Sequence, residues 1–358
     1  MNYLSRIKKI RNKLRNNDNF PYLVSSLINI KYCTGFDGSY GYLIFFPDET
    51  NFISDSRYEE YAISILPQNV RFVLQEKDIN QTLSALLKKK NIKKLFLEEH
   101  AISLAQYKAL KEQCRGIALE YGGDCINELR VIKDEEEIDI IKQASNITDL
   151  CFNHILAMLK TGISEWDVVT EIEYFYKKNG CSGTSFATIV ASGSGSSMPH
   201  YKTDSKIIKE GDPVLIDMGC IYHGYCSDIT RTVFINSISD DMKNIYTIVK
   251  KAQENAIVAI KPGMTTNKLD SIARNFIAAH GYAAMFGHSL GHGVGMDVHE
   301  IPAIKKNGYV TLKKGMVITI EPGIYLPKCG GVRIEDMVLI TKDGYEVLTK
   351  SPKDIIVL

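Results

Sequence analysis

Four acidic residues in two matching strand-and-return patterns constrain this chain more than any other feature. Val214-Leu-Ile-Asp217 is an apolar run that closes on an acid, and Asp228-Ile-Thr-Arg-Thr-Val-Phe234 reads as its return strand. Met316-Val-Ile-Thr-Ile-Glu321 repeats the pattern, with Glu335 on the return segment Val332–Ile340. Asp217 and Asp228 are eleven residues apart, and Glu321 and Glu335 are fourteen apart. Both spacings suit two paired strands with a turn between them. A carboxylate buried on such a strand is costly without a counter-charge. Two divalent cations would supply it, so the pattern predicts a metal-dependent hydrolase. Each acid pair follows a helix-rich stretch, which predicts a pseudo-twofold domain with its two hairpins face to face.

Period-two alternation places Asp228, Thr230 and Thr232 on one face of their strand, away from Ile229 and Val233. Glu335 shares a face with Arg333 and Met337 by the same rule. Arg333 can therefore hold a metal-bound carboxylate from behind. The plainer alternative is an Arg333–Glu335 ion pair with no metal, and the repetition of the acid pair weighs against it.

Between the two pairs lies Gly287-His288-Ser-Leu-Gly-His292-Gly-Val-Gly-Met-Asp-Val-His299-Glu300. His292 is the candidate ligand, because its small neighbours let backbone approach a site closely. His288 and His299 are candidates for proton donation or for contact with a developing oxyanion. His200 follows the glycine-serine segment 193–197, which lacks a P-loop lysine and reads as a loop leading to Pro199-His200. His223 reads as a surface histidine in the first hairpin's turn. Cys220 and Cys226 flank that turn and are left out of the ligand set. Carboxylates with one imidazole favour harder ions, Mn²⁺ first, with Co²⁺, Zn²⁺ and Fe²⁺ as alternatives. A lone catalytic Zn²⁺ usually has more nitrogen or sulfur ligands.

The chain has 358 residues, enough for two domains. Its net charge of +1 provides no field that would favour nucleic acid or an anionic membrane. No run approaches the roughly 20 apolar residues of a membrane span. The eight cysteines are scattered without a CxxC pair, so a disulfide framework is not expected and a reducing, cytoplasmic setting is. Met1–Asn17 has apolar residues at helical spacing (Leu4, Ile7, Ile10, Leu14) and reads as an amphipathic first helix rather than a transit peptide.

Residues 1–126 alternate strand-like and helix-like segments and predict a mixed α/β domain with a largely enclosed sheet. Strands are expected at Tyr22-Leu-Val-Ser, Tyr42–Phe46, Val70–Leu74 and Leu95–Leu97. Helices are expected over 57–65 and 79–89, and Gly35–Ser39 reads as a turn. Asp134 followed by three glutamates is a helix start, with Ile138, Ile141, Ala144 and Ile147 as the apolar face. Residues 127–358 are expected to form one larger catalytic domain.

These residues resemble the "pita-bread" metallopeptidases, in particular the proline-specific branch of Xaa-Pro aminopeptidase and Xaa-Pro dipeptidase (prolidase). The resemblance covers essentially the whole chain. Tyr32-Cys-Thr-Gly-Phe-Asp-Gly-Ser39 and Ser54-Asp-Ser-Arg-Tyr58 look like the creatinase-type N-terminal domain. It implies an α+β pita-bread catalytic domain with pseudo-twofold halves behind a mixed α/β domain. It also implies that Asp217 binds one metal, Asp228 and Glu335 bridge two, and His292 and Glu321 complete the second. His200, His288 and His299 match non-ligand active-site histidines, and Arg333 matches an arginine behind the ligands. The implied chemistry is attack of a metal-bridging hydroxide on the carbonyl before proline, with Glu321 taking a proton. The implied assembly is a homodimer acting on Xaa-Pro peptides.

Creatinase works without metal, and five intact ligands argue against it. Methionine aminopeptidase usually lacks the first domain. A non-enzymatic binding module would be expected to lose ligands. Dipeptidase and aminopeptidase stay open, because loop positions decide between them.

Overall fold

A computed structural model describes residues 1–358. The chain divides into two compact units, Met1–Arg130 and Val131–Leu358. The division falls after Arg130 rather than after Ile126, because the helix Cys125–Arg130 belongs to the first unit.

The first unit holds a six-stranded mixed sheet in the spatial order Val70–Leu74, Thr50–Ser54, Tyr42–Phe45, Tyr22–Val24, Lys94–Leu97 and Ala118–Tyr121. The three strands Thr50–Ser54, Tyr42–Phe45 and Tyr22–Val24 are buried throughout, whereas the two edge strands are only partly buried. The first helix, Tyr3–Asn16, buries Ile7, Ile10 and Leu14 as its spacing predicts. Leu4 is exposed, and Arg6 takes its place on the inner face with its guanidinium 4.5 Å from the centre of the Tyr32 ring. A helix over Leu27–Thr34 was not expected from its apolar, β-branched run. Ser26 caps its start, and Gly35 ends it at φ +83°, a conformation natural to glycine.

The second unit repeats one design twice. In its first half the helices Glu135–Met158 and Glu165–Lys178 accompany an antiparallel sheet of Ile189–Ser192, Pro213–Met218 and Ile229–Phe234. In its second half the helices Asp240–Val258 and Thr266–Ala279 accompany a five-stranded sheet that includes Val317–Ile320 and Asp336–Ile340. Asp134 starts the first of these helices with a reciprocal cap. Its carboxylate accepts from the Glu137 N–H, and Glu137 accepts from its own. The inner face of that helix differs from the expected one. Ile141 and Ala144 are buried, but Ile138 and Ile147 only partly, and Ser145, Thr148 and Asp149 are buried instead. Asp149 accepts from the N–H groups of Lys350 and Ser351, and the Thr148 and Ser227 hydroxyls lie 2.6 Å apart. This face is selected by hydrogen bonds as well as by apolar burial. No helix is long and apolar enough to cross a membrane.

Candidate active site

Each acid stands where a strand stops or starts. Pro213–Met218 pairs antiparallel with Ile229–Phe234, with Asp217 opposite Thr230, and Asp228 immediately precedes the second strand. The residues between form a further small hairpin, Cys220–Tyr222 against Tyr225–Cys226, with His223 exposed at its turn. In the other half, Val317–Ile320 pairs with Asp336–Ile340, Ile320 opposite Asp336. Glu321 follows the first of these strands and Glu335 precedes the second. The expected return strand is therefore broken, because Gly323–Leu326 and Gly330–Arg333 pair as a separate ribbon. The Glu335 N–H donates to the Thr230 carbonyl at 3.1 Å, which ties the two halves together where the acids meet.

The side chains then converge. The Thr230 hydroxyl donates to Glu335 Oε2 at 2.7 Å and accepts from Arg333 Nε at 3.1 Å. Arg333 pairs with Asp217 Oδ2 at 2.6 Å rather than with Glu335, so the metal-free ion pair weighed from the sequence does not form. The Arg333 Nη1 group also donates to the Tyr325 hydroxyl at 3.0 Å. His292 Nδ1 lies 3.1 Å from the Gly293 carbonyl, which places the ring proton on Nδ1. Nε2 then presents a lone pair toward Glu321 Oε1 at 3.4 Å and Asp228 Oδ2 at 3.6 Å. This is the tautomer a metal needs. The glycines beside His292 make room for the neighbouring strands rather than for the site: a Cβ on Gly291 would strike the Thr319 backbone, and one on Gly293 the Ile301 carbonyl.

Three observations fit this group to divalent cations. Ligand atoms of Asp228, His292 and Glu335 lie within 4.8 Å of one another. Asp217 Oδ1 is buried without a hydrogen-bond partner. Burial first, and then the charge of a neighbouring acid, push the Asp228 and Glu335 carboxyls well above the carboxylate range, and burial pushes Glu321 up to about 8.

This yields a prediction for metal-stripped protein. Carboxyls raised on folding bind more protons folded than unfolded, so their stabilisation is present at low pH and lost as pH rises. For Glu321 the window runs from its ordinary 4.5 to about 8. His288 and His292, lowered by burial to about 4 from 6.5, act in the opposite sense, but only below 6.5. Between pH 6.5 and 8 the melting temperature of the stripped protein should therefore fall, and Mn²⁺ should abolish the fall. A flat or rising profile in stripped protein would contradict the assignment.

All nine residues singled out from the sequence (His200, Asp217, Asp228, His288, His292, His299, Glu321, Arg333 and Glu335) line one cavity of about 480 Å³. Its apolar wall includes Phe186, Ile189, Pro199 and Val298. Cys220 and Cys226 turn away from it: Cys220 Sγ bonds to Thr148 and Ala144, and Cys226 Sγ to the Met296 carbonyl. Tyr325 was missed. Its hydroxyl lies 2.9 Å from His288 Nε2, while His288 Nδ1 lies 2.8 Å from the Ser289 carbonyl. Nothing in Gly-Ile-Tyr-Leu marked that hydroxyl as facing a site.

Residues 139–342 match the profile of metallopeptidase family M24, and residues 6–132 match that of the creatinase/prolidase N-terminal domain. The chain is 40% identical to the Xaa-Pro dipeptidase of Pyrococcus furiosus over 98% of its length and 99% of that protein. Among solved structures, the Xaa-Pro dipeptidase from Bacillus anthracis superposes with a TM-score of 0.96 at 38% identity, covering 100% of both chains. The X-Pro aminopeptidase of Thermotoga maritima gives 0.89 at 37% identity, covering 97% of this chain and 100% of that one.

Proposed function

The chain belongs to metallopeptidase family M24, with a creatinase-type domain ahead of a pita-bread catalytic domain, and we propose that it hydrolyses the Xaa-Pro bond at the N-terminus of peptides or in dipeptides. The observation that carries this reading is the convergence of four carboxylates and the bare Nε2 of His292 on one cavity. Asp217 would hold one divalent ion, Asp228 and Glu335 would be shared, and His292 and Glu321 would complete the second site. Mn²⁺ suits this oxygen-rich set first, with Co²⁺, Zn²⁺ and Fe²⁺ as alternatives. When bound, such a pair supplies an acidified water for attack and positive charge for the developing oxyanion.

The chain's own residues do the rest. Glu321, whose Oε1 lies 3.4 Å from His292 Nε2 at the cavity, would take the proton from the attacking water and pass it on. Arg333 holds Asp217 in one orientation. His288 has its Nδ1 proton on the Ser289 carbonyl and its Nε2 against Tyr325, so both ring nitrogens are engaged and its proposed part is to line the substrate cavity. His299 and His200 are exposed at the cavity and take the proton-donating and oxyanion roles. An Xaa-Pro bond is a tertiary amide with no N–H. A peptidase that grips that hydrogen fails on it, which is the chemical reason for a dedicated site.

The test uses chelated enzyme, enzyme reloaded with Mn²⁺ or Co²⁺, and three peptide classes: Xaa-Pro, Xaa-Pro-Xaa and Xaa-Ala. Chelation should abolish cleavage and either ion should restore it, with the proline peptides cleaved and Xaa-Ala spared. Equal cleavage of Xaa-Ala would sink the proline specificity. Full activity at verified absence of metal would sink the metal mechanism. The ratio of Xaa-Pro to Xaa-Pro-Xaa turnover separates dipeptidase from aminopeptidase.

We further propose a homodimer working in the cytosol, on two grounds: a whole N-terminal unit carries no catalytic residue, and the eight thiols are unpaired. Light scattering at assay concentration should give twice the chain mass of 40.2 kDa. A fully active monomer would contradict the dimer.

A further inference from the structure

The turn between the strands Gly291–Gly293 and Glu300–Ile304 brings Val298 and His299 to the cavity. His299 is exposed, and its ring meets the His292 ring edge to face, with centres 4.3 Å apart. An exposed side chain on a turn is a poor catalytic element unless something fixes the turn.

Glu300 does so from inside. Its Oε1 accepts from the Met296 N–H at 2.9 Å and the Asp297 N–H at 3.2 Å. Its Oε2 receives Lys133 Nζ at 2.9 Å, and the two side chains are 7% and 1% exposed. Gly295 leaves the space: a Cβ there would lie 2.5 Å from Glu300 Oε2. Lys133 is anchored in turn by its own N–H on the Gly315 carbonyl at 2.8 Å. From the other side, the Cys226 N–H donates to the Gly295 carbonyl at 2.7 Å. The turn is thus wrapped around a carboxylate that a buried ammonium holds in place. A buried ion pair adds little stability over apolar packing of the same volume. What this pair adds is direction for the backbone that carries His299.

We infer that Glu300, clamped by Lys133, is a positioning residue that sets His299 against the substrate. The inference rests on the reading that His299 acts on substrate, and the test separates the two.

The experiment is a double-mutant cycle on the metal-loaded full chain: wild type, Glu300→Gln, His299→Ala and the double variant. For each, kcat, KM, bound metal and melting temperature are measured. Glu300→Gln should keep its metal and lower kcat roughly 10–100-fold, the range for losing a group that orients a functional side chain. In the His299→Ala background the same change should lower kcat less than about twofold, because there is no imidazole left to misplace. Lys133→Met, which removes the clamp but leaves the Met296 and Asp297 bonds, carries the same cycle if Glu300→Gln does not fold. Equal losses in both backgrounds would mean that Glu300 merely supports the fold, and would overturn the proposal. An unchanged kcat in Glu300→Gln would overturn it as well. If His299→Ala alone leaves kcat intact, the His299 reading fails and the proposal falls with it, a result visible in that single variant.

Discussion

Asp228→Asn and Glu335→Gln should each lower kcat by about 10³-fold or more, beyond the roughly 10–100-fold expected for a residue that only orients a ligand. Both substitutions keep the shape of the side chain and remove one negative charge. Asp228 lies under the Met337 thioether, which its N–H meets at 3.1 Å, and its ligand atom lies within 4.8 Å of those of His292 and Glu335. Glu335 accepts the Thr230 hydroxyl on one oxygen and leaves the other free for the cavity. An amide in either place offers one neutral oxygen where the proposed pair of ions needs a shared carboxylate. Stability should move the other way. Burial, and then repulsion from neighbouring acids, raises both carboxyls, so the metal-stripped variants should melt higher than stripped wild type at pH 8. Lost activity together with raised stability marks a ligand, whereas a core residue would lose both. Variants that bind two metals per chain and turn over normally would refute the assignment.

The acids could be picked out because each ends or begins a strand in a pattern that occurs twice. His292 stood out because glycines flank it, and the room those glycines leave is taken by the Thr319 and Ile301 backbone of the neighbouring strands. The partner of Arg333 was not. Alternation along one strand pointed to Glu335, but the strand breaks at Ile334-Glu335, and the guanidinium crosses to Asp217 in the other half. A register argument reaches only neighbours on its own hairpin. Tyr325 escaped for a related reason, since its hydroxyl meets Arg333 and His288 through tertiary packing alone. The same limit applies to the helix Glu135–Met158, whose buried Ser145, Thr148 and Asp149 look polar in sequence and are partnered by residues far along the chain. In the first unit, Thr50–Ser54 went unassigned because Thr-Asn-Phe-Ile-Ser has little β-rich length of its own, and its two sheet neighbours define it. The fold class could be read because it depends on patterns that repeat. The contacts that tune the site depend on which residues meet across the two halves.

His299→Ala should keep its metal and lower kcat by roughly 10²–10⁴-fold, the usual range for a lost acid–base group, while His292→Ala should lose metal. The two rings are in edge contact, with centres 4.3 Å apart, so a general disturbance of the site would affect both variants alike. Their nitrogens differ. Burial lowers the His292 imidazole to about 4, and its Nε2 faces Glu321 and Asp228 with a lone pair, so it is neutral and ready to ligate. His299 sits on an exposed turn at the cavity, where a substrate can reach it. Metal content by elemental analysis and single-turnover rates, measured on both variants, separate the roles. The expected result is two metals and a slow chemical step for His299→Ala, against depleted metal and partial recovery at high Mn²⁺ for His292→Ala. If both variants hold metal as the wild type does, the division of labour between these histidines is wrong. If both lose it, His299 belongs to the ligand set, and proton donation to the leaving proline nitrogen passes to His200.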